Sequence, residues 1–127
     1  MYKVLAKIKG EVVRGAGRGK HLGIPTMNIQ YQDIPNIQHG IYVCRICIDD
    51  VWRGAVMHFG PVLMFEPDTV TCEVHVFDFD QNVVGKDVEV EVVSYIRPIK
   101  MFDSIRLLID AIENDCRVAR LYFQTKQ

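Results

Sequence analysis

The residues best suited to chemistry lie between Arg14 and Asn28, in the run Arg-Gly-Ala-Gly-Arg-Gly-Lys-His-Leu-Gly-Ile-Pro-Thr-Met-Asn. Gly15, Gly17, Gly19 and Gly23 share it with Arg14, Arg18 and Lys20. A backbone without Cβ atoms can turn its N–H groups inward and approach an anion closely, while adjacent cations neutralise phosphate charge. The formal net charge of the chain is −1, so this cationic cluster is a local concentration and not a general basicity. Two familiar phosphate motifs do not fit. The pattern G-x-x-x-x-G-K-[ST] needs Gly at 14 and Ser or Thr at 21, where Arg14 and His21 stand, and G-x-G-x-x-G fails from both Gly15 and Gly17. A solvated glycine-rich loop has the same composition, so both readings stand at this point. Pro25-Thr26-Met27-Asn28 then places two short oxygen-bearing side chains after a fixed proline. Mg²⁺ takes one or two oxygens from a protein and completes its octahedron with phosphate and water, which these residues would suit. The same four residues also read as a turn with Asn28 capping the local backbone.

A second candidate lies in Thr71-Cys-Glu-Val-His-Val-Phe-Asp-Phe79. Period two puts Cys72, Val74 and Val76 on one face and Glu73, His75 and Phe77 on the other. A mid-strand glutamate beside an aromatic is a candidate general base for a hydroxyl nucleophile, although a strand glutamate is more often simply solvated. His75 shares that face and takes no chemical role.

These groups need a scaffold, and the pattern supplies one. Strands are predicted over Leu5–Val13, Ile41–Ile48, Trp52–Phe59, Thr71–Phe79 and Asp87–Tyr95. In the last, Val88, Val90 and Val92 face the core and Asp87, Glu89 and Glu91 face solvent. From Asp103 the period changes: Ile105, Leu108, Ile109, Ile112, Cys116 and Ala119 form a helical apolar face opposite Arg106, Asp110, Glu113, Arg117 and Arg120. Asp103 or Ser104 supplies the N-cap. Short strands followed by one amphipathic helix argue for a mainly β fold, a closed antiparallel barrel with a C-terminal α-helix.

Composition narrows the class. With 127 residues, 49% apolar and 24% charged, the chain is expected to form one domain, 1–127, of an ordinary globular protein. No apolar run approaches the roughly 18 residues of a membrane span, and the N-terminus lacks a signal-peptide core, so a cytoplasmic protein without a membrane partner is expected. Cys44 and Cys47 form a C-x-x-C within a strand, where residues three apart point to opposite faces and cannot easily share a zinc ion. All four cysteines, with Cys72 and Cys116, are expected as free thiols.

Taken in order, these motifs resemble the riboflavin kinase (flavokinase) family, a domain found alone or at the C-terminus of bifunctional FAD synthetases. Gly10-x-Val-Val-Arg-Gly-x-Gly-Arg-Gly-x-x-Leu-Gly-Ile-Pro-Thr-x-Asn28 is similar to its nucleotide and metal loop, Gly40-Ile-Tyr42 to the next strand, and Glu73-Val-His75 with Asp78-Phe79 and Gly85 to its catalytic strand. Tyr95-x-Arg-Pro98, Phe102-Asp-Ser104 and the spacing of Leu108, Ala111-Ile112 and Asp115 resemble its flavin-covering segment. The resemblance implies a six-stranded antiparallel barrel. It further implies ATP and riboflavin as substrates, Mg²⁺ held by Thr26 and Asn28, and Glu73 as the base for the ribityl 5′-hydroxyl. Nucleotide binding would fall to Gly15, Gly17, Arg18, Gly19, Lys20, Gly23, Thr26 and Asn28, and flavin binding to Arg97, Phe102 and Ser104. FMN, and not FAD, is the implied product, from a monomer.

Two stretches depart from the family pattern. Gly60-Pro-Val-Leu-Met-Phe65 lacks the usual Pro-Thr before the aromatic, and Val84 stands where an aromatic is usual. A catalytically degenerate module that only holds flavin or nucleotide is therefore one alternative. A barrel using its basic loop on RNA or DNA is another, opposed by the lack of any aromatic between Arg14 and Asn28 with which bases could stack.

Overall fold

The computed structural model describes residues 3–15 and 22–126. Gly17, Arg18, Gly19 and Lys20, four of the expected nucleotide-binding residues, lie outside them. Among the described residues the strands are β1 (Ala6–Val13), β2 (Met27–Tyr31), β3 (Gly40–Ile48), β4 (Val51–Val62), β5 (Glu66–Val76) and β6 (Asp87–Arg97), followed by helix α1 (Ile105–Thr125). They close into an antiparallel barrel in the order β1-β2-β5-β4-β3-β6.

Alternation builds the interior. Ile8 and Val12 of β1, Cys72, Val74 and Val76 of β5, and Val88, Val90 and Val92 of β6 are buried in one cluster with Cys44, Ile46, Ala55, Met57 and Phe59. β3 departs from simple alternation because both its faces are covered. Tyr42, Cys44 and Ile46 point into the barrel, while Ile41 and Val43 join Val56 and Val93 beneath the helix. α1 packs on that outer patch through Cys116, Ala119, Tyr122 and Phe123. Its N-cap is Ser104, whose Oγ accepts a hydrogen bond from the Leu107 N–H at 3.2 Å. The β3–β4 connection uses Asp49 and Asp50, both with positive φ, as a two-residue hairpin turn requires.

Three expectations are corrected. Glu91 does not face solvent: it is buried and paired with Arg45 Nε at 2.6 Å, because Arg45 stands directly across from it on the neighbouring strand β3. Ile105, expected on the packed face of the helix, is exposed in its first turn. Met27 and Asn28, which within Pro25–Asn28 also read as part of a turn, instead open the strand Met27–Tyr31, whose ladders to β1 and β5 complete the barrel wall. All four cysteines are free, with Cys44 and Cys72 buried and burial pushing the Cys72 thiol up to about 12.

Candidate active site

The register of the barrel sets one row of outward-facing residues side by side. Asn28 of β2 pairs with Glu73 of β5, Glu73 with His58 of β4, His58 with Ile41 of β3, and Ile41 with Arg97 of β6. Met27 and Ile29, Cys72 and Val74, Met57 and Phe59, and Tyr42, the neighbours of Asn28, Glu73, His58 and Ile41 along their strands, belong to the barrel interior, so that part of the row faces out. α1 and the segment before it stand over the row, and together they form a cleft. Its other walls are Leu22 and Ile24 on one side and Val62 to Glu66 of the β4–β5 hairpin on the other. The cavity within this cleft is about 140 Å³ and opens to solvent.

Glu73 is held by two hydroxyls. Thr26 Oγ1 donates to its Oε1 at 3.1 Å, and Thr71 Oγ1 donates to its Oε2 at 3.0 Å. Thr71 also lies 3.4 Å from the Gly60 carbonyl, but a hydroxyl has one proton and the shorter contact takes it. A carboxylate offers about four lone-pair positions, so two remain for a third donor. The Thr26 hydroxyl, with its proton committed to Glu73, turns its lone pairs elsewhere and can still ligate a cation. The segment that carries Thr26 is tied down by His75, whose Nδ1 donates to the Pro25 carbonyl at 2.7 Å. Gly15 packs so closely on Asn28 that a Cβ there would fall 1.8 Å from its Nδ2, displacing the amide.

At the far end of the row Arg97 forks onto Asp115 of α1, Nε to Oδ1 at 2.9 Å and Nη2 to Oδ2 at 2.7 Å. Asp115 is buried, and desolvation raises its pKa against the opposing hydrogen bond from Arg97. The Arg97 guanidinium and the Lys100 ammonium lie 5.5 and 5.6 Å from the centre of the Phe102 ring. Hydroxyl and amide oxygens therefore sit at one end of the cleft, a carboxylate next to them, and an aromatic flanked by cations at the other. Among the described residues no group of three His, Cys, Asp or Glu side chains could hold a metal, so a resident all-protein cation cage is not what this end offers. A hard cation bound through one or two oxygens and a ligand's phosphates does fit Thr26 and Asn28.

The sequence pattern of the Flavokinase family, described as riboflavin kinase, matches residues 3–123. The chain belongs to the riboflavin kinase family. It is thereby a kinase domain, and the six-stranded barrel with one C-terminal helix is the fold the family resemblance implied. Human riboflavin kinase is 37% identical over 120 residues, which cover 88% of this chain and 77% of the human protein. The trifunctional protein RibF/MnmA of Mycoplasmoides gallisepticum is 36% identical over 121 residues, or 94% of this chain, but the match spans only 18% of that longer protein. The crystal structure of a macrolide-efflux protein from Streptococcus pneumoniae superposes with a TM-score of 0.79 at 32% identity, over 90% of this chain and 38% of that one.

Within this riboflavin kinase domain the structure brings Thr26, Asn28, Glu73, Arg97 and Phe102 into one cleft. Gly15 supports Asn28 from behind, and Gly23, with φ of 79°, lies between Leu22 and Ile24 of the cleft wall. Ser104, expected by resemblance as a flavin contact, uses its hydroxyl to cap α1 and stands outside the cleft lining. Thr71 and His58 take no role in the sequence reading, and Asp115 enters it only through the spacing of the flavin-covering segment. Period two already places Thr71 beside Glu73 on one face of β5, but only register shows that His58 flanks it.

Proposed function

We propose that this chain transfers the γ-phosphoryl group of ATP to the 5′-hydroxyl of riboflavin, producing FMN and ADP. The observation that carries the proposal is the Glu73 carboxylate, fixed between Thr26 and Thr71 and adjacent to Asn28 in a cleft closed at its other end by Phe102. The remaining lone pairs of Glu73 accept the 5′-hydroxyl proton as that oxygen attacks the γ-phosphorus. The new O5′–P bond forms as the bond from phosphorus to the β,γ-bridging oxygen breaks, and ADP leaves with that electron pair. Thr26 and Asn28 would hold Mg²⁺, which would neutralise charge on the ATP phosphates. Because phosphoryl transfer leaves a protein little covalent work, positioning and charge neutralisation dominate. Gly15 and Gly23, with Gly17, Arg18, Gly19 and Lys20 outside the described residues, would close on the nucleotide. Arg97 and Phe102 would receive the flavin, Arg97 being held in place by Asp115. ATP, riboflavin and Mg²⁺ would be the partners of a monomeric domain acting in the cytoplasm, with nucleic acid taking no part.

Glu73→Gln tests the assignment. The amide cannot take the proton, yet it still accepts from one threonine and keeps the side chain's shape. Turnover should fall ~10²–10⁴-fold while riboflavin affinity holds. Full turnover in that variant would remove Glu73 from the role of base.

A further inference from the structure

One polar side chain in the cleft has no part in the phosphoryl-transfer roles. His58 stands across from Glu73 in the β4–β5 register, and along the row it lies between that carboxylate and the Arg97 end. Its Nε2 is 3.0 Å from the Pro61 carbonyl oxygen. A carbonyl only accepts, so Nε2 carries the ring proton, and in a neutral imidazole Nδ1 is then an acceptor. Burial is the main influence on the ring and lowers its pKa; Arg97 acts in the same direction, while the Pro61 carbonyl, Glu73 and a weaker backbone interaction with Gly60 oppose. The charged groups facing it are Glu73 from β5, Arg97 from β6 and Asp115 from α1.

On the kinase reading above, the order of the row lays out the substrate. Asn28 marks the phosphate end, Glu73 the reacting hydroxyl, and Arg97 with Phe102 the ring end. Residues directly opposed on antiparallel strands have Cβ atoms about 4.5–5.5 Å apart. A ribityl chain running along the row therefore meets His58 immediately after Glu73, and the first donor it presents there is the hydroxyl on the carbon next to the reacting one. We infer that His58 Nδ1 accepts a hydrogen bond from the ribityl 4′-hydroxyl, making His58 a specificity residue for the polyol chain. A flavin lacking that hydroxyl leaves a partly desolvated acceptor unmatched, which is the arrangement that discriminates strongly against deoxy analogues.

Two substitutions separate the nitrogens of the ring. In His58→Gln the amide nitrogen can stand near Nε2 and keep the tie to Pro61, with no acceptor at the Nδ1 position. In His58→Asn the amide oxygen stands near Nδ1. Riboflavin and 4′-deoxyriboflavin would be titrated into both variants and the unaltered protein, following flavin fluorescence, and kcat/KM would be measured alongside. The unaltered chain should bind riboflavin about tenfold more tightly than the deoxy analogue, as one matched hydrogen bond gives. H58N should keep that preference, and H58Q should reduce it to near one by weakening riboflavin alone. The inference is overturned by an unaltered chain without preference, by H58Q retaining it, or by H58N losing it. FMN formation without any preference would leave the kinase reading standing and remove the role of His58. A preference lost only in H58Q, without FMN formation by any form, would keep the role of His58 and remove the kinase reading.

Discussion

Two threonine hydroxyls on one carboxylate leave Glu73 with a fixed direction and spare acceptor capacity, which is what a base for an incoming hydroxyl needs. One contact is local and the other is not. Thr71 is two residues from Glu73, but Thr26 is 47 residues away and reaches it because β2 pairs with β5. The place of His58 and the pairing of Asp115 with Arg97 were illegible, since a partner on another strand or helix is visible only once register and packing are known. His58 also carries a pH signature. Burial lowers its folded pKa below the ordinary 6.5, so near and below that value the unfolded chain binds the proton more readily. Its contribution to stability is complete above about pH 6.5 and is lost as pH falls from there toward the folded pKa. Melting temperatures taken at about pH 7.5 and about pH 5.5 should fall further in the unaltered chain than in H58N. Equal falls would mean that the ring is not held neutral.

The elements were readable where one face is wet and one is dry. β1, β5 and α1 show their periods because the barrel interior or the helix patch takes one side and water the other, and β6 does so only at its start, before both its faces become buried from Val90 to Val93. β2 was hidden by its brevity, five residues directly after a proline-containing segment, and by residue types that also suit a turn. β4 and β5 run beyond their expected ends, through Gly60 and Pro61 and back from Glu66, to form the hairpin that walls the cleft. Gly60 takes φ of 135°, a conformation that L side chains rarely adopt and that lets the strand bend there. α1 is held at its start by the Ser104 cap and further along by the Arg97–Asp115 pair. Ser104→Ala should cost about 1 kcal/mol in urea unfolding, and Ser104→Asp should restore most of it. Unchanged stability in the alanine variant would mean that the helix start is held by something other than the cap.

At the scale of the whole molecule, the barrel acts as a template that turns sequence-distant residues into one row. Its closure by β2 brings the side-chain oxygens of Thr26 and Asn28 to Glu73, and the outer packing of α1 gives the row its roof. The order of motifs along the chain was enough to identify the family, while the spatial order from Asn28 to Arg97 required the fold. The apolar hairpin Val62-Leu63-Met64-Phe65, a departure from the family pattern, lines the same cleft and bears directly on whether substrates are turned over or only held. The measurement that tests the kinase proposal most directly is chromatographic detection of FMN after incubating the protein with riboflavin, ATP and Mg²⁺. FMN that accumulates with time and disappears when EDTA removes the cation is the expected result. Saturable riboflavin binding with no FMN at any Mg²⁺ concentration would contradict the proposal and leave a flavin-holding module in its place.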